Sequence, residues 1–538
     1  MTANSPWHEQ MTPLHFLERA AEVWAERLAA IDGVHEVTYA QMGTDAMSLA
    51  GSLKTMGVRG GDRVAYLMPN VYPMLLGHFA VPLAGGILVA INTRLSPGEI
   101  AFILQHSGAR LLVAHSSLAQ VVHQAVALCD TVEQVIWASD IDSAATAPVR
   151  DPVDHGELLR AGTGADISWR VVDENSVISI NYTSGTTGRP KGVMYTHRGA
   201  YLNALGEIIH SGFTSDSVYL WTLPMFHCNG WCTTWAATAV GARHICLPQV
   251  RADRIWGMLS SGGVTHLNAA PTVVTSILNA PEAVPLQAQV RVTTAGAPPS
   301  PTTIAHAEAL GFHITHVYGL TETYGPYSVC EVQDAWAGLP ASDRARLQAR
   351  QGVGMIQADR LRVVDEDMND VPRDGITMGE IVMRGNNVML GYYNDPEATA
   401  KVFRGGWLHS GDLGVMHPDG YIELRDRAKD IVISGGENIS TVEVEQALMS
   451  HPAVLESAVI GVPDTRWGER PKGFVVLKDG YSVSPDDLAA YLRGVIAHFK
   501  VPDQIELTAT LPKTSTGKVQ KFVLREAEWE GRETRIQG

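Results

Sequence analysis

The sequence predicts an α/β fold: a large N-terminal domain of parallel-rich sheets flanked by helices, with a β-rich subdomain, and a small α+β C-terminal domain. Three observations carry this. From the N-terminus to about Tyr318, strand-like and helical stretches alternate, as parallel sheets covered by helices require. From Arg360 to Asp426 the pattern turns β-rich, with many Gly and Asp turns. After Arg427 the chain reads as helix, strand, strand and helix over a length that suits one compact domain. The boundary is expected near Arg425, giving domains 1–425 and 426–538.

Taken in order, Leu14 to Ala29 carries apolar residues at helical spacing. Asp62 to Met68 reads as a strand, Tyr72 to Leu83 as a helix and Gly86 to Ile91 as a strand. Ser96-Pro97-Gly98-Glu99 is a helix start, with a Ser cap, Pro in the first turn and Glu three residues on. Leu111 to His115 is strand-like, and Ile141 to Asp166 reads as a surface excursion, since the alternation resumes beyond it. Later strands at Ser217 to Leu223, Val264 to Ala269, Val290 to Thr294 and Phe312 to Tyr318 each lead into a loop of chemically useful residues. Ligands collect on that side of open α/β sheets.

The chain has 538 residues, too many for one ordinary core. Hydrophobic residues make up 45% and charged residues 18%, the balance of a soluble globular protein. A formal net charge of −16 argues against long-range attraction to nucleic acid or an anionic membrane. Five irregularly spaced cysteines suit free thiols in a reducing compartment. No secretory pattern and no membrane-spanning apolar run is visible, so a cytoplasmic location is expected.

One stretch organises the chain. Ser176 to Asn181 reads as a buried strand, followed by Tyr182-Thr183-Ser184-Gly185-Thr186-Thr187-Gly188-Arg189-Pro190-Lys191-Gly192-Val193, with helix resuming from Arg198. Glycines let backbone N–H groups approach an anion, hydroxyls add donors, and Lys191 adds a point charge. The expectation is strand, phosphate-gripping loop, helix. It is not a Walker A loop, because Pro190 precedes the lysine and Gly192 follows it. The string resembles the phosphate loop of the adenylate-forming superfamily, which contains acyl-CoA synthetases, firefly luciferase and nonribosomal peptide adenylation domains.

Further stretches extend that resemblance from about Leu14 to Lys521. In Tyr318-Gly319-Leu320-Thr321-Glu322-Thr323, Tyr318 offers a flat face to a base, Thr321 a hydroxyl to polyphosphate, and Glu322 an oxygen ligand to Mg²⁺. The resemblance implies that this motif binds ATP, that Glu322 and Thr183 contact Mg²⁺, and that Gly296, Ala297, Pro298 and His316 lie on the adenine side. Asp412, held in a Gly turn, suits the two ribose hydroxyls. By resemblance, Arg427 contacts the nucleotide, Lys429 is the hinge, and Ser434-Gly435-Gly436-Glu437 lines the coenzyme A tunnel. Pro512 to Lys521 resembles the mobile catalytic-lysine motif, which puts that lysine at Lys518.

Pro224 to Cys232 contains His227, Cys228 and Cys232, but the set lacks a fourth metal ligand at usual spacing. In fatty acyl-CoA synthetases the corresponding His lies beside the reacting acid and the Trp gates the acyl pocket, roles that fall here on His227 and Trp231. This stretch and Leu347 to Val353 resemble most the short- and medium-chain branch. What the resemblance implies is an ATP-, Mg²⁺- and coenzyme A-dependent ligase for an apolar carboxylic acid, passing through an acyl-adenylate. The alternatives are an adenylation enzyme loading a carrier protein, a luciferase-like oxygenase and a non-catalytic nucleotide-binding protein. Homodimerisation is common in the family and rests on the resemblance alone.

Overall fold

A computed structural model of the chain describes residues 8–139, 153–164, 166–183, 190–261, 263–296, 299, 301–427, 429–434, 437–464, 466–514 and 518–529. The expected α/β class holds. Among the described residues there are two large sheets, a smaller antiparallel sheet and a C-terminal sheet.

The first large sheet has eight strands. Val177–Tyr182, Ile87–Ala90, Arg63–Leu67, Leu111–His115 and Gln134–Ala138 run parallel in that spatial order. The second has nine, with Leu28–Asp32, Arg243–Ile245, Val218–Leu220, His266–Ala269, Val290–Thr294 and Phe312–Leu320 parallel. Helix Tyr72–Leu83 is apolar on nearly every side, its buried His78 turned back to the Met74 carbonyl oxygen at 2.8 Å, and it lies in the main core, as a helix without a polar face must. Helix Pro97–Ser107 begins at the expected capping box: Glu99 N–H donates to Ser96 Oγ, and Ser96 N–H donates to Glu99 Oε2 at 2.8 Å.

The β-rich stretch forms the antiparallel set Arg362–Val364, Met378–Met383, Trp407–Met416 and Phe403–Arg404, with Ile422–Arg427 paired to Trp407–Met416. Beyond it, Val432–Ser434 starts the C-terminal sheet, covered by helices Thr441–Met449, Pro485–Arg493 and Lys521–Trp529. The last strand before this sheet therefore runs two residues past the expected boundary.

Three local expectations change. The first helix stops at Val23, and Leu28–Asp32 is a sheet strand. A short apolar run fits either period, and parallel pairing with Arg243–Ile245 decided it. Within the excursion, residues 140–152 lie outside the described set, but Val153–Asp154 adds an edge strand and His155–Ala161 is a helix. Buried Leu158 of that helix accepts from Ser52 Oγ at 2.6 Å, so this part is packed structure. Finally, the glycine-rich loop joins two strands and not a strand and a helix. Gly192–Thr196 pairs antiparallel with Val177–Tyr182 before helix His197–Ser211 begins.

Candidate active site

A cavity of about 1330 Å³ lies where the strand-end loops meet the C-terminal sheet unit; Thr183, Lys191, His227, Glu322, Arg427 and Lys518 are on its wall. At one end the hairpin fixes the base of the glycine-rich loop. Thr183 N–H donates to Lys191 O at 3.0 Å, and Lys191 N–H donates to Thr183 Oγ1 at 3.2 Å. Ser184, Gly185, Thr186, Thr187 and Gly188 fall outside the described residues. Lys191 Nζ sits 4.8 Å from the ring centre of Tyr392, a cation–π distance. The Tyr392 hydroxyl donates to Glu322 Oε1 at 2.7 Å, so one aromatic ring ties the lysine to the carboxylate. Tyr392 is delivered there by pairing with Val193 on the hairpin.

The motif after Phe312–Leu320 is held by its own backbone. A Cβ on Gly319 would stand 1.9 Å from the Gly325 carbonyl oxygen, so only glycine fits. Tyr195 donates to the Thr321 carbonyl at 2.6 Å. Asp412 is buried and shared: Tyr318 donates its hydroxyl to Oδ2 at 2.7 Å, and Arg427 Nε lies 3.1 Å from Oδ1. The Asp412 carboxylate raises the Arg427 pKa further, keeping the guanidinium charged. Gly296 reaches the cavity wall, while Ala297 and Pro298 lie outside the described residues. His316 is not a wall residue. It is buried, with Nδ1 3.0 Å from the Arg350 carbonyl oxygen, and burial pushes it down to about 4.

Between these ends the backbone does something the sequence hides. Cys228, Asn229, Gly230, Trp231 and Cys232 all have positive φ, from 42° to 59°, making a left-handed turn. Each non-glycine residue there costs about 1–2 kcal/mol. The turn is clamped from below. Ser179 Oγ donates to Asn229 Oδ1 at 2.8 Å, and Asn203 Nδ2 donates to Cys232 Sγ at 3.2 Å. Trp231 is buried among Leu223, Cys228, Ala295, Val317, Val329 and Met355. His227 is half-buried on the wall and pushed down to about 4, by desolvation and then by the Lys518 ammonium. It is therefore neutral at physiological pH. Both cysteines are buried and free, and among the described residues no group of three or more His, Cys, Asp and Glu could hold a metal.

Lys518 comes from the C-terminal unit, on a loop closed by Thr514 N–H to Lys518 O at 2.7 Å and Lys518 N–H to Thr514 Oγ1 at 3.1 Å. The residue is exposed to the solvent of the cleft. Desolvation and then Arg427 push it down to about 8, against the pull of Asp412 and Asp430. Lys429 sits on the wall in the turn between strands Ile422–Arg427 and Val432–Ser434, and desolvation lowers its pKa. Ser434 and Glu437 pair across a hairpin away from the wall; Gly435 and Gly436 lie outside the described residues.

Sequence reasoning passed over Tyr392, Asp426 and Lys521, all on the wall. Tyr392 carried a usable signal, since Gly391-Tyr392-Tyr393 stands just before the capped helix Pro396–Val402.

Residues 17–393 match the AMP-binding enzyme family, and residues 443–518 match the AMP-binding enzyme C-terminal domain. A 2-methylpropanoate–CoA ligase of Humulus lupulus is 42% identical over 96% of this chain and 95% of its own. A peroxisomal butyrate–CoA ligase of Arabidopsis thaliana is 42% identical over 96% of this chain and 93% of its own. A 4-hydroxybutyrate–CoA ligase of Metallosphaera sedula is 41% identical over 96% and 95%. Among solved structures, an anthranilate CoA ligase in complex with anthranoyl-AMP superposes with a TM-score of 0.85, at 25% identity, over 97% of this chain and 98% of that one. A benzoate CoA ligase from Burkholderia xenovorans LB400 gives a TM-score of 0.84 at 26% identity, over 96% and 100%. The family models and the relatives together span nearly the whole chain, and the chain belongs to the AMP-binding enzyme family.

Proposed function

We propose that the chain is an ATP-dependent ligase joining short apolar carboxylic acids, of about the size of butyrate, to coenzyme A through an acyl-adenylate. The observation that carries this is the meeting of Lys518 with Arg427, His227 and the Lys191 hairpin around one cavity. Full-length relatives named as 2-methylpropanoate, butyrate and 4-hydroxybutyrate ligases support the acid class.

In the first step a carboxylate oxygen attacks the α-phosphorus of ATP, the bond to the β-phosphate bridge breaks, and pyrophosphate leaves. Developing negative charge needs fixed donors, and Lys518, as a cation, bridges the acid and the α-phosphate. Lys191 and the hydroxyl of Thr183 hold the β- and γ-phosphates, and Asp412, oriented by Tyr318 and Arg427, accepts from the ribose. Glu322 and Thr183 are wall oxygen donors, the set Mg²⁺ takes alongside nucleotide phosphates, and they would hold it. That ion supplies charge neutralisation on the polyphosphate when bound. Neutral His227 orients the acid by hydrogen bonding, and Trp231 limits its length.

In the second step the coenzyme A thiol attacks the acyl carbon, the acyl–oxygen bond to AMP breaks, and AMP leaves. The C-terminal unit, pivoting at Lys429, swings Lys518 out and brings Ser434 and Glu437 towards the thiol path. Transfer to a carrier protein would share the first step only. The test is pyrophosphate release over a series of acids, with and without coenzyme A, read with thioester formation. Fast release with short aliphatic acids and coenzyme A-dependent thioester supports the reading; release without any thioester favours the carrier-protein alternative.

A further inference from the structure

The cavity wall on the C-terminal side carries buried charges that the two-step scheme leaves without a role. Asp426 is the next-to-last residue of the strand Ile422–Arg427, which is paired into the antiparallel sheet of the large body. Its neighbour across the gap is Thr441, the first residue of helix Thr441–Met449 in the C-terminal unit. Thr441 donates twice to Asp426 Oδ2, from its backbone N–H at 2.5 Å and from its hydroxyl at 2.7 Å. The carboxylate thereby caps the positive end of a helix that belongs to the other unit. A second tie runs beside it, from Ser440 Oγ to the Arg425 carbonyl oxygen at 2.5 Å.

Lys521 completes the arrangement. Its ammonium donates to Thr441 Oγ1 at 2.6 Å and pairs with Glu445 at 2.8 Å. Glu445 is itself fixed by the Val459 N–H at 2.7 Å. Lys521 lies three residues beyond Lys518, at the start of helix Lys521–Trp529. The loop that presents Lys518 is thus tied at its end to the helix that Asp426 caps. Lys521, Thr441 and Glu445 travel together with the C-terminal unit. Asp426 stays with the large body, because its strand precedes the Lys429 turn. Any rotation at Lys429 must break the Asp426–Thr441 contacts.

We propose that Asp426 and Lys521 are positioning residues that latch the C-terminal unit in the arrangement that delivers Lys518. Asp426 holds the helix across the domain gap, and Lys521 transmits that hold to the Lys518 loop. The inference rests on the two-step ligase reading above. A purely structural cluster would weaken both half-reactions and the fold together, whereas a latch for one arrangement weakens only the step that needs it.

The experiment uses the full chain and the acid giving fastest pyrophosphate release. Acyl-adenylate formation is measured in a single turnover without coenzyme A, and thioester formation is measured from supplied acyl-adenylate and coenzyme A. Asp426→Ala and Lys521→Met should lower the first step about 10- to 100-fold, the loss expected for hydrogen bonds to charged groups, and leave the second near wild type. Lys521→Arg should restore most of the first step. Asp426→Asn, of equal shape, serves if the alanine variant melts early. Parallel loss in both steps, or no loss in either, overturns the latch. A wild-type protein that forms no acyl-adenylate overturns the ligase reading and the latch with it, and is distinguishable because no variant is needed to see it.

Discussion

Gly325 packs directly against Trp231: a Cβ on Gly325 would lie 2.9 Å from Trp231 Cδ1, and Gly325 has a φ of +93°. The strand after the Tyr318–Thr323 motif therefore leaves room for the indole, which in the proposed reading limits the length of the acid. We predict that Trp231→Ala shifts the ratio of kcat/KM towards longer acids. Each methylene accommodated is worth about 1–3 kcal/mol. The check is a chain-length series with thermal melts alongside. A variant that loses stability with an unchanged length profile would return Trp231 to a purely packing role.

The turn at Lys429 is closed by Asp430 N–H donating to the Arg427 carbonyl oxygen at 2.8 Å. Proline at 429 restricts φ to one well. Lys429→Pro should hinder rotation, so that adenylation persists while thioester formation falls at least about tenfold, as for a lost conformational step. Separate assays of the two half-reactions decide it, and an equal fall in both places the pivot elsewhere.

In the proposed adenylation step Lys518 acts as a cation, and its pKa is pushed down to about 8 by desolvation and Arg427. Its positive charge is lost as pH rises through that value. The kcat/KM for adenylation, which reports the free enzyme, should fall above about pH 8, well below the ordinary lysine value of about 10.4. Lys518→Arg should abolish this alkaline limb whatever its remaining rate. A limb that persists unchanged in the arginine variant belongs to another group.

Much of this site was legible because its chemistry sits in contiguous loops at strand ends. Glu322 stands at such a strand end, Asp412 and Arg427 lie within strands and were singled out through the resemblance of their stretches, and the Ser96 capping box followed from local chemistry alone. What stayed hidden depends on contacts between distant segments. Nothing in Asp426 announces that it caps a helix beginning at Thr441, and Tyr392 reaches Lys191 only through strand pairing with Val193. The left-handed turn at 228–232 was hidden too, since Asn229 and Gly230 favour positive φ while two cysteines and a tryptophan do not. His316 matches its motif by position, but the strand carries its ring towards Arg350 and off the cavity wall.

Glu207 is buried on helix His197–Ser211, with Oε1 lacking a partner among the described residues, and burial pushes its pKa up to about 8. A carboxyl with a folded pKa above its unfolded one favours folding below the unfolded pKa. That contribution is lost as pH rises through the folded pKa. Glu207→Gln cannot ionise and should therefore stabilise the protein at pH 8 by about 1–3 kcal/mol, the order of the linkage penalty for ionising Glu207 in the folded state. The gain should shrink towards pH 5. Melting curves across this range test it, and a gain independent of pH would show that ionisation is not the cause.

The central claim is that Lys518 enters the cavity to serve adenylation and leaves before thioester formation. The most direct measurement is Lys518→Ala assayed in both half-reactions on folded protein. We predict that acyl-adenylate formation from acid and ATP drops by about 100-fold or more, in the range for a lost transition-state charge contact. Thioester formation from supplied acyl-adenylate and coenzyme A should stay close to wild type. Equal loss in the two half-reactions, or full adenylation without the lysine, would contradict the account.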